Sequence, residues 1–243
     1  MKARRSEVLS TRYRIAEQTL IVDFGSRMRV LSSAPKRGGL QTARYLLNHQ
    51  VPAGPVRQNV PSDWEHPARY LRRIAETLGV DQSCVALMTA VPMKRVVTSR
   101  EMRHGIWVEC LATVGVTNAV RAGEPPGYEP GSSMVGTAGT INLILVTNAC
   151  LAMSALVGAV QVATESKTGV LRDHAVPSWT GRPGATGTGT DAVVVACAQR
   201  GRGPRHLYAG THTDLGSMIG LVVADCLTQG LARANQWTAD HSI

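Results

Sequence analysis

The sequence predicts an α+β fold in a single domain: largely antiparallel sheet, built from hairpins and covered by helices. Three observations predict it. Short β-prone runs come in pairs around glycine-containing turns, as at Thr19 to Phe24 and Met28 to Ser32 on either side of Gly25-Ser26. Helical patterns fall between groups of strands rather than in strict βαβ alternation. One helical pattern, Ala149 to about Leu171, carries no charge from Ala149 through Thr164 and therefore belongs in a core.

The chain's 243 residues suffice for one sizeable domain, and no composition break divides them. Residues 1–17 read as a polar, basic and frayed segment ahead of a domain over 18–243. With 44% hydrophobic and 18% charged residues the composition is globular. The apolar helical stretches are interrupted by Asn, Thr and Gly, so no membrane span is expected. Met1-Lys2-Ala3-Arg4-Arg5-Ser6 is basic but no apolar run follows it, so no secretory signal is expected. Cys84, Cys110, Cys150, Cys197 and Cys226 are widely spaced and set mostly in apolar runs. They read as reduced core residues of a cytoplasmic protein, and without a Cys-x-x-Cys pair no protein metal site is expected. The net charge of +9 could draw polyanions. Aromatics make up only 4% and are not interleaved with the basic residues, so a solvated basic face is the reading and no nucleic-acid partner is expected.

The elements follow in order. After the first hairpin, Leu31 to Leu40 is a loop ending in Gly38-Gly39, and Gln41 to Asn48 has a helical pattern. Two glycines ahead of a helix would leave free N–H groups for a polar or anionic ligand. Residues 52–67 hold four prolines and are irregular. A helix from about Pro67 to Leu78 has proline at its start and Gly79 at its end, as helix termini prefer. Val85 to Ala90 and Val96 to Thr98 read as paired strands, and Ile106 to Val116 as a long strand running into the small-residue turn Gly115 to Ala119. A second loop, rich in Pro and Gly, spans 123–133. In the strand Gly139 to Val146, Thr140 and Asn142 share a face by period-two alternation. With Asn118 they suggest a polar cleft. Solvent exposure is the alternative, and the repeated Thr and Asn theme favours the cleft.

The helix from Ala149 meets its first charges at Glu165 and Lys167. A carboxylate at the edge of a buried helix loses hydration, which is a route to a general base or acid. Solvent, or pairing with Lys167, is the plainer account. Next comes the stretch around which the chain is organised, Gly184-Ala185-Thr186-Gly187-Thr188-Gly189-Thr190-Asp191-Ala192. It supplies hydroxyls and closely approaching backbone N–H groups. It ends on an aspartate held by the strand that follows, a placement that suits a catalytic acid or base. Gly187 to Ala192 formally fits GxGxx(G/A), but that fingerprint needs a strand before it and a helix after it, whereas β-branched Val193 to Val195 follow. Ala192 to Ala198 and His206 to Ala209 read as a hairpin about Arg200 to Pro204. It delivers His212 to the start of a last helix, about 214–235, which Thr213 would cap.

Taken together, Leu31-Ser32-Ser33-Ala34 with Gly38-Gly39, Met88-Thr89-Ala90, Gly115 to Ala119, Gly139-Thr140-Ile141-Asn142, Thr164-Glu165 to Lys167, Thr186 to Ala192 and Gly210-Thr211-His212-Thr213 to Gly216 resemble the adenosylcobinamide amidohydrolase family. The matches run in order from about residue 19 to the last helix. Ser166, between Glu165 and Lys167, and Lys36-Arg37, ahead of the glycine pair, depart from the family pattern. The resemblance implies hydrolysis of the amide joining the aminopropanol arm to the corrin ring of adenosylcobinamide. The products would be adenosylcobyric acid and 1-amino-2-propanol, formed in corrinoid salvage. Cobalt would arrive with the substrate, so no resident cofactor is implied.

Two mechanisms stay open at this point. In one, water attacks with Glu165 or Asp191 as base, His212 as acid or orienting partner, and loop N–H groups around Gly187 to Gly189 as oxyanion donors. In the other, Thr186, Thr188 or Thr190 attacks, activated by His212. Gly38, Gly39, Thr89, Asn118, Thr140, Asn142 and Thr186 to Thr190 are the expected substrate-binding residues. A non-catalytic corrinoid- or nucleotide-binding protein is the alternative, and a homo-oligomer is left open.

Overall fold

The computed structural model describes residues 11–52, 66–125 and 139–241. Part of the proline-rich stretch and most of the 123–133 loop lie outside them. The strands are β1 (Arg12–Ala16), β2 (Thr19–Ser32), β3 (Gly39–Gln50), β4 (Val85–Thr89), β5 (Val97–Arg103), β6 (Ile106–Val114), β7 (Ala119–Val120), β8 (Ile141–Thr147), β9 (Cys150–Leu151), β10 (Gly187–Thr188), β11 (Ala192–Cys197) and β12 (Arg205–His206). Among the described residues the helices are α1 (Pro67–Thr77), α2 (Met153–Asp173) and α3 (Asp214–His241), with a 3-10 turn at Met93–Arg95.

The main sheet has the order β4-β3-β2-β11-β8-β6-β5, with β1 paired to β2. It is parallel at β3–β4 and β8–β11 and antiparallel elsewhere, so the α+β class holds with a mixed sheet. The sheet curls over itself. Alternation along β8 sends Ile144 and Val146 to an inner core with Leu20, Leu46, Leu87 and Val194. The same alternation sends Ile141, Leu143 and Leu145 to a core beneath α2 and α3. Leu47 and Ala86 face α1 through Leu71 and Ala75. Full burial of each large aliphatic side chain contributes roughly 1.5–3 kcal/mol.

Several sequence expectations are corrected. Gln41 to Asn48 is not a helix but the middle of β3. Ala43, Leu46 and Leu47 mimic a helical period because β3 is buried on both faces, Leu46 against the inner core and Leu47 against α1. Gly38-Gly39 therefore opens a strand, and no helix N-terminus stands there. Gly25 does not turn a hairpin. β2 runs straight through it with a register shift between Asp23 and Met28, and β3 pairs with both halves. The first hairpin lies earlier, where Glu17 and Gln18 take φ of 44° and 55° and join β1 to β2, so residues 12–16 are ordered strand.

β4 and β5 do not pair but sit at opposite edges of the sheet, and β5 pairs with β6 around His104-Gly105. Arg205–His206 pairs in parallel with Cys150–Leu151 rather than with β11. Two predictions hold closely. α1 starts on Pro67, and Thr213 caps α3 by accepting from Gly216 N (3.0 Å). α2 is the core helix expected, starting at Met153.

Candidate active site

Five loops meet at the end of the sheet where β8 and β11 begin. The Thr89–Met93 turn packs on Gly115, where a Cβ would lie 2.8 Å from Val91 Cγ2. The 115–118 turn packs on Gly139, where a Cβ would lie 2.6 Å from Thr117 Oγ1 and 2.8 Å from Asn118 Oδ1. Gly139-Thr140 is tied to the central loop, with Thr140 Oγ1 donating to Thr190 O (2.9 Å) and Thr190 Oγ1 to Gly139 O (3.3 Å). The central loop pairs through β10 with β7, and Ala122 N donates to Thr186 Oγ1 (2.9 Å). The turn after β2 joins through Ser33, whose N donates to Val193 O (3.2 Å) and whose Oγ accepts from Val193 N (3.2 Å).

At the centre of this cluster stands a charged group. Asp191 Oδ2 accepts from Lys167 Nζ of α2 and from Thr188 N (3.0 Å). Its Oδ1 accepts from Thr188 Oγ1 (2.5 Å) and from Ile141 N (3.0 Å), the first residue of β8. All four lone-pair directions of the carboxylate are thus engaged. The Lys167 and Asp191 side chains are 8% and 11% exposed. A charge pair so far from water persists because each charge faces the other and the carboxylate oxygens are all met; an unpaired buried charge would cost several kcal/mol. The ammonium has three N–H donors, and Asp191 is its one hydrogen-bond partner among the described residues. Gly187 admits the pair: a Cβ there would crowd Asp191 Oδ2 and lie 2.7 Å from Lys167 Nζ.

Of the expected site residues, the fold brings together Asn118, Thr140, Thr186, Gly187, Thr188, Gly189, Thr190 and Asp191. Gly189 and Thr190 are exposed, while Thr188 is 8% exposed. Thr89 and Asn142 border the cluster from inside the sheet. Thr89 Oγ1 accepts from Val91 N (3.0 Å), and Asn142 Nδ2 donates to Asn48 Oδ1 (2.9 Å) and Met88 O (2.8 Å). Gly38 and Gly39 shape the turn after β2, where a Cβ on Gly38 would lie 2.5 Å from Ala34 O.

Glu165 and His212 are placed elsewhere. Glu165 is exposed and accepts from Gln161 Nε2 (3.2 Å). It stands two residues from buried Lys167, about 200° around the helix. His212 is exposed in the turn before α3. That turn lies at the far end of the sheet, where Gly158 of α2 packs on Ala209 and Asp214 meets His104 of the β5–β6 turn (3.2 Å). The length of β11 separates it from Asp191, about 20 Å at roughly 3.3 Å per residue. The pairing of β12 with β9, rather than with β11, carries it there.

Lys167, which the sequence offers only as a partner for Glu165, is the residue that sequence reading missed. The available signal was its period: Ala163, Lys167, Val170 and Leu171 form one buried stripe of α2. No three His, Cys, Asp or Glu side chains stand together in metal-binding arrangement among the described residues.

The family model described as adenosylcobinamide amidohydrolase matches residues 4–239. A protein of Methanosarcina mazei named adenosylcobinamide amidohydrolase is 31% identical over 228 residues, covering 90% of this chain and 96% of that one. A Methanocaldococcus jannaschii protein named "Uncharacterized protein MJ1613" is 29% identical over 235 residues, covering 90% of this chain and 88% of that one. Among solved structures, the PH0078 protein from Pyrococcus horikoshii OT3 aligns with a TM-score of 0.41 and 10% identity, covering 91% of this chain and 83% of that chain.

Proposed function

Because the chain belongs to the adenosylcobinamide amidohydrolase family, we propose that it hydrolyses the aminopropanol amide of adenosylcobinamide to adenosylcobyric acid and 1-amino-2-propanol. The reaction would serve corrinoid salvage in the cytoplasm. Cobalt comes and goes with the corrinoid, and the chain needs no cofactor of its own.

One observation carries the mechanism: Thr188 Oγ1 donates to Asp191 Oδ1 at 2.5 Å, and the other carboxylate oxygen is held by Lys167. A nucleophile on its base, with the base fixed by a third group, is the arrangement that nucleophilic catalysis requires. Thr188 Oγ attacks the amide carbonyl from the exposed Gly189–Thr190 side while its proton passes to Asp191. That proton leaves with the amine as the C–N bond breaks, and water then hydrolyses the ester on Thr188. The N–H donors of Lys167 that Asp191 does not take are available to the developing oxyanion. Direct attack by water with Asp191 as base is less well supported, since a water would first have to displace one of the four donors already on that carboxylate.

The test is incubation with adenosylcobinamide, following amine release and protein mass. Release by the wild type and a corrinoid acyl adduct on Thr188, with both lost in folded Thr188→Val, supports the reading. Release undiminished in Thr188→Val would leave the water route. Binding without release would make the chain a corrinoid-binding protein.

A further inference from the structure

A cavity of about 450 Å³ is lined by Lys36, Arg37, Ala68, Arg72 and Gln82, the first two from the turn that joins the loop cluster through Ser33. It lies between the turn after β2 and the first half of α1. Lys36 is 5% exposed, and its ammonium donates to Gln82 O (2.7 Å), Cys84 O (3.0 Å) and Cys84 Sγ (3.4 Å). Burial pushes the Cys84 thiol up, so the sulfur is neutral, as the carbonyls are. The buried cation is therefore bonded by neutral groups, and its charge is not cancelled at contact.

Arg37 sits at φ 58°, in the left-handed region, and its Nη2 donates to the neutral Gln41 Oε1 (2.9 Å). Arg72, on the exposed side of α1, has no ion-pair partner among the described residues. Two carboxylates stand in the neighbourhood. Asp81 accepts from Ser83 N (2.7 Å) and lies 3.8 Å from Arg27, and Glu76 is exposed one turn beyond Arg72. Three cationic residues thus line a cavity whose lining contains no carboxylate.

We propose that this cavity is a second binding site, taking the phosphate group of a small phosphorylated metabolite. Guanidinium forks match the oxygen geometry of phosphate and supply the donors, while the buried ammonium, its three N–H groups spent on Gln82 O, Cys84 O and Cys84 Sγ, adds charge. The volume falls within the roughly 300–1,000 Å³ of small-molecule sites, larger than a bare anion fills. Ala68 and the aliphatic stems of Lys36 and Arg72 offer apolar wall for the rest of the molecule. The proposal is independent of amide hydrolysis, and its test reads binding alone.

Calorimetric titration of the full chain with inorganic phosphate, pyrophosphate and ATP, at about 0.15 M salt to screen exposed charge, decides it. The expected result is saturable binding of ATP or pyrophosphate, weakened about tenfold or more in R37Q/R72Q and unchanged in R69Q, with the fold retained by circular dichroism. Arg69 is exposed on α1 but does not line the cavity. Equal weakening in R69Q would reduce the effect to surface charge and overturn the proposal. Absence of saturable binding by all three probes would overturn it too, and binding of inorganic phosphate alone would overturn it in favour of a free-anion site.

Discussion

Lys167, in the buried stripe of α2 with Ala163, Val170 and Leu171, meets Asp191 at the mouth of β11, and neither side chain is more than 11% exposed. Each partner makes the burial of the other tolerable. Lys167→Met leaves Asp191 charged and short of one donor, and should destabilise the fold by about 3–5 kcal/mol, the usual cost of breaking a buried pair. Urea unfolding of the two proteins measures it. A loss below about 1 kcal/mol, the range of exposed pairs, would mean that the pair is solvated in solution.

Gly187 and Gly189 offer a sharper contrast. A Cβ on Gly187 strikes both members of the pair, whereas a Cβ on Gly189 has nothing within 4 Å. Gly187→Ala should therefore cost about 2 kcal/mol or more by forcing Lys167 and Asp191 apart, and Gly189→Ala should stay within about 0.5 kcal/mol. Equal effects of the two substitutions on thermal midpoint would remove the close approach from the account.

Much of this architecture is legible in the sequence wherever an element has one buried face. Pro67 and the apolar spacing after it mark α1, and the alternation of β8 marks a strand with Thr140 and Asn142 on one side. β3 is illegible by period, since burial on both faces puts Leu46 and Leu47 side by side. The central loop announces itself through composition, and Asp191 through its place before a β-branched run. Lys167 becomes a site residue only when that loop folds back onto α2, 24 residues away. The separation of His212 from Asp191 is not foreseeable, because the two-residue pairing of β12 with β9 leaves no trace in composition.

His49 supplies a pH dependence. It is 6% exposed on β3, with Nδ1 2.7 Å from Thr19 Oγ1 and Nε2 2.9 Å from Tyr70 OH. Burial holds it below its ordinary value of 6.5. Below 6.5 the unfolded chain binds the proton that the folded chain refuses, so stability from the neutral imidazole is complete above that pH and is lost as pH falls. Urea midpoints between about pH 5 and 8 should decline on the acid side, and less steeply in His49→Gln. The same acid slope in that variant would assign the effect to other groups.

Asn142 separates a structural role from a substrate contact. It is 1% exposed, and its Nδ2 ties β8 to Asn48 Oδ1 and to Met88 O of β4. Asn48 Nδ2 in turn donates to Thr113 Oγ1 (3.1 Å). This chain of amides pins the curled half of the sheet over the inner face of β6 and β8. Asn142→Leu strands Met88 O and Asn48 Oδ1 in an apolar interior, where each unmet acceptor costs about 1–3 kcal/mol. The variant should lose about 2–5 kcal/mol of stability, while the protein that remains folded keeps KM within about twofold. A double-mutant cycle with Asn48→Ala should show coupling above about 0.5 kcal/mol, since the two amides share one bond. A rise in KM of tenfold or more at unchanged stability would instead place Asn142 against the substrate.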